Sequence, residues 1–163
     1  ERELREWLCP PPPDEGAEPG PPRRLGPALE AHAEEVEERD GVAVRVVAVG
    51  QAARRALPAD DAEGLCALVL AAREAMANAA AHAEVASVDV FAELEAGAVT
   101  AYVRDRGPGF DLAAVPADRQ GLRGSIVGRV ERAGGSATIT TEPGRGTEVR
   151  ISIPHDAGGA REP

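Results

Sequence analysis

The chain has 163 residues, of which 43% are hydrophobic and 2% aromatic, so it suits one domain with a core of Ala, Val, Leu and Ile. Its net charge of -10 argues against direct binding to nucleic acid, because a nucleic-acid backbone usually requires a basic protein surface. We also expect no stretch that is long and apolar enough to cross a membrane, and therefore no membrane contact by this chain.

The N-terminal part is expected to lie outside the main domain. The sequence "ERELREWL" (1–8) is typical of the end of an amphipathic helix, with Leu4, Trp7 and Leu8 on one side. Residues 9–24 are rich in proline, which fixes the backbone and removes hydrogen-bond donors, so we predict a semi-rigid linker. Because the chain does not begin with methionine, we expect it to be part of a longer protein.

The domain itself is predicted from Leu25 to Pro154, followed by a disordered tail at 155–163. Hydrophobic periodicity predicts a helix, a strand, a long helix, a hairpin, a helix and a second hairpin. The predicted ranges are 25–40, 42–50, 60–84, 86–95, 98–105, 125–133, 136–142 and 147–154. This order predicts an α/β two-layer sandwich, with a mixed, mostly antiparallel sheet of about five strands covered on one side by about three helices.

Two polar residues share the apolar side of the predicted sheet. In the strand "AVTAYVRD", Asp105 has the same parity as Val103, so it should face the helices. A buried aspartate is costly unless it is hydrogen-bonded. Thr147 shares the parity of Ile151 in the last strand. Both residues therefore place polar groups at the mouth of one apolar face.

The long helix has a core side and a polar side. The apolar residues at helical spacing are Leu65, Leu68, Val69, Ala72, Met76, Ala79 and Ala83. Glu74, Asn78 and His82 follow one another at intervals of four and form a polar stripe roughly opposite the core side. A solvated face explains such a stripe on its own, but Asn also offers the neutral carbonyl ligand that a hard cation accepts.

Glycines in two loops would let the backbone approach a ligand closely. The stretch "DRGPGF" contains Gly107 and Gly109, and "GLRGS" places Gly121 and Gly124 before Ser125, which we expect to cap the next helix. A glycine-rich loop leading into a helix N-terminus can bind an anion without any lysine. Ordinary turns and an ordinary cap are the alternative interpretation of each loop alone.

Four blocks in this order resemble the ATP-binding fold shared by gyrase-type, Hsp90-type, histidine-kinase and MutL-type proteins. "REAMANAAAHA", "DRGPGFD", "GLRGS" and "GRGTEV" are similar to its N box, first glycine box, second glycine box and terminal Gly-Thr. The match covers about Leu25 to Pro154. Within this fold the chain most resembles the catalytic domain of bacterial sensor histidine kinases, of the type paired with response regulators that have helix-turn-helix outputs.

The resemblance implies that ATP and Mg²⁺ bind here. Asp105 would accept a hydrogen bond from the adenine amino group, with support from Thr147 directly or through water. Asn78 would coordinate Mg²⁺, and Glu74 would polarise a water or orient the metal shell, so these two are the implied catalytic residues. His82 would lie near the phosphates. The glycine boxes add the implied ATP-binding residues Gly107, Gly109, Gly121, Leu122, Arg123 and Gly124.

The resemblance also implies partners outside this chain. A histidine on the dimerisation domain of the same full-length protein would receive the γ-phosphate, and a response regulator would receive it next. The segment 1–8 would end the dimerisation helix, and the kinase domain would be cytoplasmic whether or not the parent is membrane-anchored. We expect none of His32, His82 and His155 to be the phosphoacceptor, so this chain alone should not autophosphorylate.

Two features depart from the family pattern. Arg106 stands where the family often has a small polar or acidic residue, and the expected ATP lid, about 107–124, is short. The chief alternative is an anti-sigma-factor serine kinase of the same fold, against which the preceding helix and linker argue. A non-catalytic nucleotide-sensing interaction module is the other alternative, against which Asn78 and Asp105 argue.

Overall fold

The structure, a computed structural model, describes residues 24–50, 62–95, 97–111 and 121–155. Its elements are α1 (Leu25–Asp40), β1 (Ala43–Gly50), α2 (Ala62–His82), β2 (Ser87–Glu95), β3 (Ala98–Asp105), α3 (Gly121–Arg132), β4 (Ser136–Thr141) and β5 (Thr147–Pro154). They follow the predicted order. The predicted preceding helix at 1–8 and nearly all of the predicted linker lie outside the described residues, as does the middle of the expected lid.

The five strands form one sheet in the order β1-β2-β3-β5-β4. β1 pairs with β2 in parallel, and the other neighbouring strands are antiparallel. Buried side chains such as Val90 and Ile151 line the face that the helices cover, whereas Val47 and Phe91 are exposed on the other face. The predicted α/β two-layer sandwich, with its mixed sheet of five strands and its three helices, is confirmed.

α2 is the central helix of the fold. The seven apolar residues predicted to share its core side are all buried. Ala71 and Ala75 are buried as well, and their small side chains let the helix lie close to its neighbours. By length and composition alone, Glu63–His82 could cross a membrane, with a mean hydropathy of 1.2, so the expectation that no such stretch exists is wrong. Half of this segment is buried inside the fold, as in the core helix of a compact domain.

The ends of two predicted elements differ from the sequence-based ranges. α3 begins at Gly121, four residues before the predicted start at 125, so the "GLRGS" segment is its first turn and not a loop. At the other boundary, His155 is buried and its N–H donates to the Gly97 carbonyl at 2.9 Å. The fold therefore includes one residue that we predicted to belong to the tail.

An ion pair between Glu35 and Arg73 connects α1 with α2, and a buried histidine, His32, lies beside it. Glu35 on α1 receives two hydrogen bonds from Arg73 on α2, at 2.7 and 3.1 Å, and lies 3.2 Å from His32 Nδ1. Hydrogen bonding to Arg73 lowers the pKa of Glu35. Burial lowers the pKa of His32 below its ordinary value of 6.5, and His32 Nε2 has no hydrogen-bond partner. A second proton on His32 would therefore be buried without an acceptor.

We expect this environment to make the fold sensitive to mild acid. Because the native pKa of His32 is below 6.5, the unfolded chain takes up the proton more readily. The stability that depends on neutral His32 is complete above pH 6.5 and is lost as the pH falls. Glu35 contributes stability above its ordinary pKa of 4.5, and this contribution is lost at still lower pH.

We predict that His32→Leu flattens the loss of stability between pH 7 and pH 5. The leucine fills a similar buried space and has no proton to bind. Urea unfolding at pH 7, 6 and 5 measures the free energy of unfolding of both proteins. A parallel decline in the unmutated chain and in His32→Leu would show that His32 does not cause the acid sensitivity.

Candidate functional site

Asp105 ends β3 with its carboxylate inside the protein. Only 5% of the residue is exposed, on the helix-covered side that its strand parity predicted. Its Oδ1 accepts hydrogen bonds from the N–H of Gly107 at 2.9 Å and from the N–H of Thr147 at 3.2 Å. Neither bond uses Oδ2. The two backbone donors compensate for the burial of a charged group and hold it in one orientation.

Glycines allow three backbone segments to meet around Asp105. A Cβ on Gly107 would collide with the carbonyl of Ala83, directly after α2. One on Gly109 would collide with the Glu142 carbonyl, and one on Gly146 with the carbonyl of Asp105 itself. Gly109 and Gly146 also have positive φ angles of 58° and 75°. The end of α2, the turn after β3 and the β4–β5 turn are thus in direct backbone contact.

Thr147 supports Asp105 through its backbone and not through its hydroxyl. The Thr147 hydroxyl donates to Thr141 Oγ1 at 3.2 Å, while the Thr147 N–H binds Asp105. Thr141 also accepts from the N–H of Phe110 at 3.1 Å. Sequence reasoning missed Thr141. Its parity with Ile139 was an available signal, since it puts a third polar group at the same end of the apolar face.

The polar stripe of α2 divides into two environments. Glu74 and Asn78 are half-buried, and His82 is exposed. The side-chain nitrogen of Asn78 donates to the Glu74 carbonyl at 2.6 Å, which leaves the amide oxygen of Asn78 as its group for a ligand. The Glu74 carboxylate accepts a hydrogen bond from the Ser125 hydroxyl on α3. Ser125 therefore lies within a helix and binds Glu74, and the prediction that it is the N-cap is wrong.

The second glycine box forms the start of α3. The backbone of Gly121, Leu122, Arg123 and Gly124 is helical. A Cβ on Gly124 would contact nothing within 4 Å among the residues that the structure describes. The Ser125–Glu74 hydrogen bond places this helix N-terminus beside the polar stripe of α2.

Arg106 lies away from the carboxylate of Asp105. Its side chain is exposed, and its guanidinium is 3.9 Å from Asp89, a residue that pairs with exposed Arg104 on the uncovered face of the sheet. The departure from the family pattern at this position therefore places a charge on the opposite face from Asp105.

Protein carboxylates do not form a ready-made metal cage in this region. Within the described residues, no group of three or more His, Cys, Asp or Glu is arranged to hold a metal ion. Asn78, with its amide oxygen available, can supply one neutral ligand. A divalent cation at this position would take its other ligands from water and from a bound anion such as phosphate.

The model of the histidine kinase-like ATPase domain family matches residues 30–150. The chain belongs to this family. It is 32% identical over 130 residues to DegS of Brevibacillus brevis, a signal transduction histidine-protein kinase/phosphatase. This match covers 80% of the chain but only 32% of DegS, so the chain spans about a third of its relative's length.

Solved structures support the same fold. The histidine kinase domain of the Erythrobacter litoralis blue-light-activated histidine kinase superposes with a TM-score of 0.67 at 21% identity, covering 94% of this chain and 81% of that one. The mycobacterial sensor histidine kinase MprB gives a TM-score of 0.56 at 20% identity, covering 79% of this chain and 93% of that one. Membership of an ATPase domain family implies that the chain binds ATP.

The backbone packing around Asp105 predicts different costs for two glycine substitutions in the β4–β5 turn. Gly144 and Gly146 both have left-handed backbones, with φ of 80° and 75°. A Cβ on Gly144 would contact none of the described residues within 4 Å, whereas one on Gly146 would collide with backbone. We expect Gly144→Ala to cost about 1 kcal/mol of stability through strain alone. Gly146→Ala should cost about 1–3 kcal/mol more, as measured by urea unfolding. Equal losses would contradict the packing described here.

Proposed function

We propose that this chain is the ATP-binding catalytic domain of a sensor histidine kinase. It binds Mg-ATP and transfers the γ-phosphate to a histidine on a dimerisation domain of the same full-length protein, for relay to a response regulator. The main support is the Asp105 carboxylate, held by two backbone donors inside a domain of the histidine kinase-like ATPase family. The similarity to DegS, a kinase/phosphatase, supports the histidine kinase assignment.

In this proposal, Asp105 recognises the adenine through a hydrogen bond. Its Oδ1 is already bound to the N–H groups of Gly107 and Thr147, so Oδ2 is the oxygen that accepts from the amino group of the base. Because the carboxylate is fixed before the ligand arrives, little rotational freedom is lost on binding. Gly107 and Gly109 keep the backbone beside the base free of side chains.

The phosphates and Mg²⁺ lie farther along α2 in this proposal. The amide oxygen of Asn78 would hold the metal, and Glu74 would orient a water bound to it. His82, exposed at the end of the helix, lies near the phosphates. Mg²⁺ supplies charge neutralisation and alignment of the triphosphate. The N–H groups at the start of α3, from Gly121 to Gly124, bind phosphate oxygens.

The reaction requires a phosphoacceptor outside the described fold. His32 is buried against Glu35 and is not accessible to a phosphate donor. His155 is buried, and His82 belongs to the nucleotide site. We therefore propose that the acceptor belongs to the preceding dimerisation domain, that the kinase domain acts in the cytoplasm, and that it contacts neither nucleic acid nor membrane.

The adenine assignment predicts a loss of binding from a nearly isosteric change. Asp105→Asn keeps an oxygen for the Gly107 and Thr147 donors but replaces Oδ2 with an N–H₂ group, which cannot accept from adenine. We expect the Kd for a fluorescent ATP analogue to rise by about tenfold or more. Asp89→Asn, which changes a half-exposed carboxylate of the same sheet, is the control and should bind normally. Equal affinity in Asp105→Asn and the unmutated chain would contradict the assignment.

The metal and acceptor assignments predict the outcome of phosphotransfer in trans. The unmutated chain, mixed with Mg²⁺, γ-labelled ATP and a separately produced dimerisation domain, should label that domain on histidine. Histidine phosphate is labile in acid, whereas serine phosphate is stable, so acid treatment separates the histidine kinase from the serine kinase alternative. In Asn78→Ala the rate of phosphotransfer should fall by about tenfold or more. The increase in ATP affinity that Mg²⁺ gives the unmutated chain should also be lost in this variant. ATP binding without transfer to any acceptor would favour a non-catalytic nucleotide-sensing module.

A further inference from the structure

The hydroxyl of Thr141, at the end of β4, takes part in four hydrogen bonds. It accepts from the N–H of Phe110 at 3.1 Å and from the hydroxyl of Thr147 at 3.2 Å. As a donor it has two carbonyl oxygens within reach, that of Gly146 at 3.1 Å and that of Phe110 at 3.4 Å. A hydroxyl has one proton and two lone pairs, so these partners use its whole hydrogen-bonding capacity.

The partners of Thr141 come from two segments that are far apart in the sequence. Phe110 belongs to the turn after β3, while Thr147 opens β5 and is also the register partner of Thr141 in the β4–β5 ladder. A second bond joins the same segments, because the N–H of Gly144 donates to the Pro108 carbonyl at 2.6 Å. The β4–β5 hairpin therefore holds the turn at 107–110 at two points.

Both donors to Asp105 lie in the segments that Thr141 connects. The Thr147 N–H belongs to the residue whose hydroxyl binds Thr141. The Gly107 N–H belongs to the turn whose other end, at Phe110, binds Thr141. Without the Thr141 hydroxyl, the N–H of Phe110 would lose this acceptor, and among the described backbone hydrogen bonds the one from Gly144 to Pro108 would still join the turn to the hairpin.

We propose that Thr141 is a positioning residue for the base end of the nucleotide site. It acts through Asp105, by fixing the turn and the β5 N-terminus that donate to this carboxylate. The inference rests on the proposed function, since it assigns the base of the nucleotide to Asp105. It predicts that the hydroxyl of Thr141 controls affinity for the adenine moiety and not the response to Mg²⁺, because Asn78 and Glu74 are held by other contacts on α2 and α3.

Three variants test this role. Thr141→Val keeps the β-branched shape and removes the hydroxyl, Thr141→Ser keeps the hydroxyl, and Thr138→Val changes an exposed threonine of the same strand. In Thr141→Val we expect affinities for ATP, ADP and adenosine to fall together, by about tenfold. Thr141→Ser and Thr138→Val should stay within about twofold of the unmutated chain. The ratio of ATP affinities with and without Mg²⁺ should not change in Thr141→Val. Urea titrations at the temperature of the binding measurements check that all the proteins are folded there.

Amide hydrogen exchange without nucleotide provides the second measurement. Exchange of the Phe110 N–H should be about tenfold faster in Thr141→Val and unchanged in Thr141→Ser. If nucleotide affinity or the exchange rate of the Phe110 N–H is unaltered in Thr141→Val, the role of Thr141 is overturned, while the proposed function stands. An unmutated chain that binds no nucleotide would overturn the proposed function, and with it the adenine role of Thr141.

Discussion

One buried carboxylate determines how the candidate site is built. Asp105 ends a strand on the apolar side of the sheet, where an unpaired charge would be strongly destabilising. Its Oδ1 is satisfied by the N–H groups of Gly107 and Thr147, which requires the next turn and the β5 N-terminus to come very close. Gly107 and Gly146 make that approach possible, since a Cβ at either position would collide with backbone. Gly107 and Gly146 are therefore consequences of one hydrogen-bonding requirement.

The central helix, α2, is held by several neighbours and so fixes the positions of Glu74 and Asn78 in the candidate site. Consecutive residues of α2 bind different neighbours, with Arg73 paired to Glu35 on α1 and Glu74 bound to Ser125 on α3. An alanine-rich core side packs the same helix against the sheet. Asn78 thus projects from an element held on three sides, and its own amide nitrogen is anchored to the Glu74 carbonyl. Such support favours precise placement of a ligand atom.

Sequence patterns predicted the features that depend on short-range periodicity, namely which side chains of a strand or helix face the core. Strand parity found Asp105 and showed Thr147 at the same end of the sheet, and helical spacing separated the core side of α2 from its polar stripe. The start of α3 was misplaced because two glycines within "GLRGS" resemble a loop, although the backbone there is helical. The roles of Ser125 and Thr141 were not predicted, because their hydrogen-bond partners, Glu74 and Phe110, lie 51 and 31 residues away in the sequence. Such pairs depend on how elements pack, which local patterns do not specify.

The charge of the protein suggests why a metal would be necessary at the proposed phosphate end. With 18 basic residues against 28 acidic ones, and hence a net charge of -10, the chain has fewer positive than negative side chains to set against a bound triphosphate. The N-terminus of α3 carries a partial positive charge, but the Glu74 carboxylate already lies beside it through Ser125. A phosphate binding there would be repelled by the nearby carboxylate of Glu74. Under the proposed function, a divalent cation bound to Asn78 would remove this conflict, because one positive charge would then attract both the phosphate and Glu74. Under the proposed function, the adenine end is built by the protein itself, whereas the phosphate end is completed only when the metal arrives with the nucleotide.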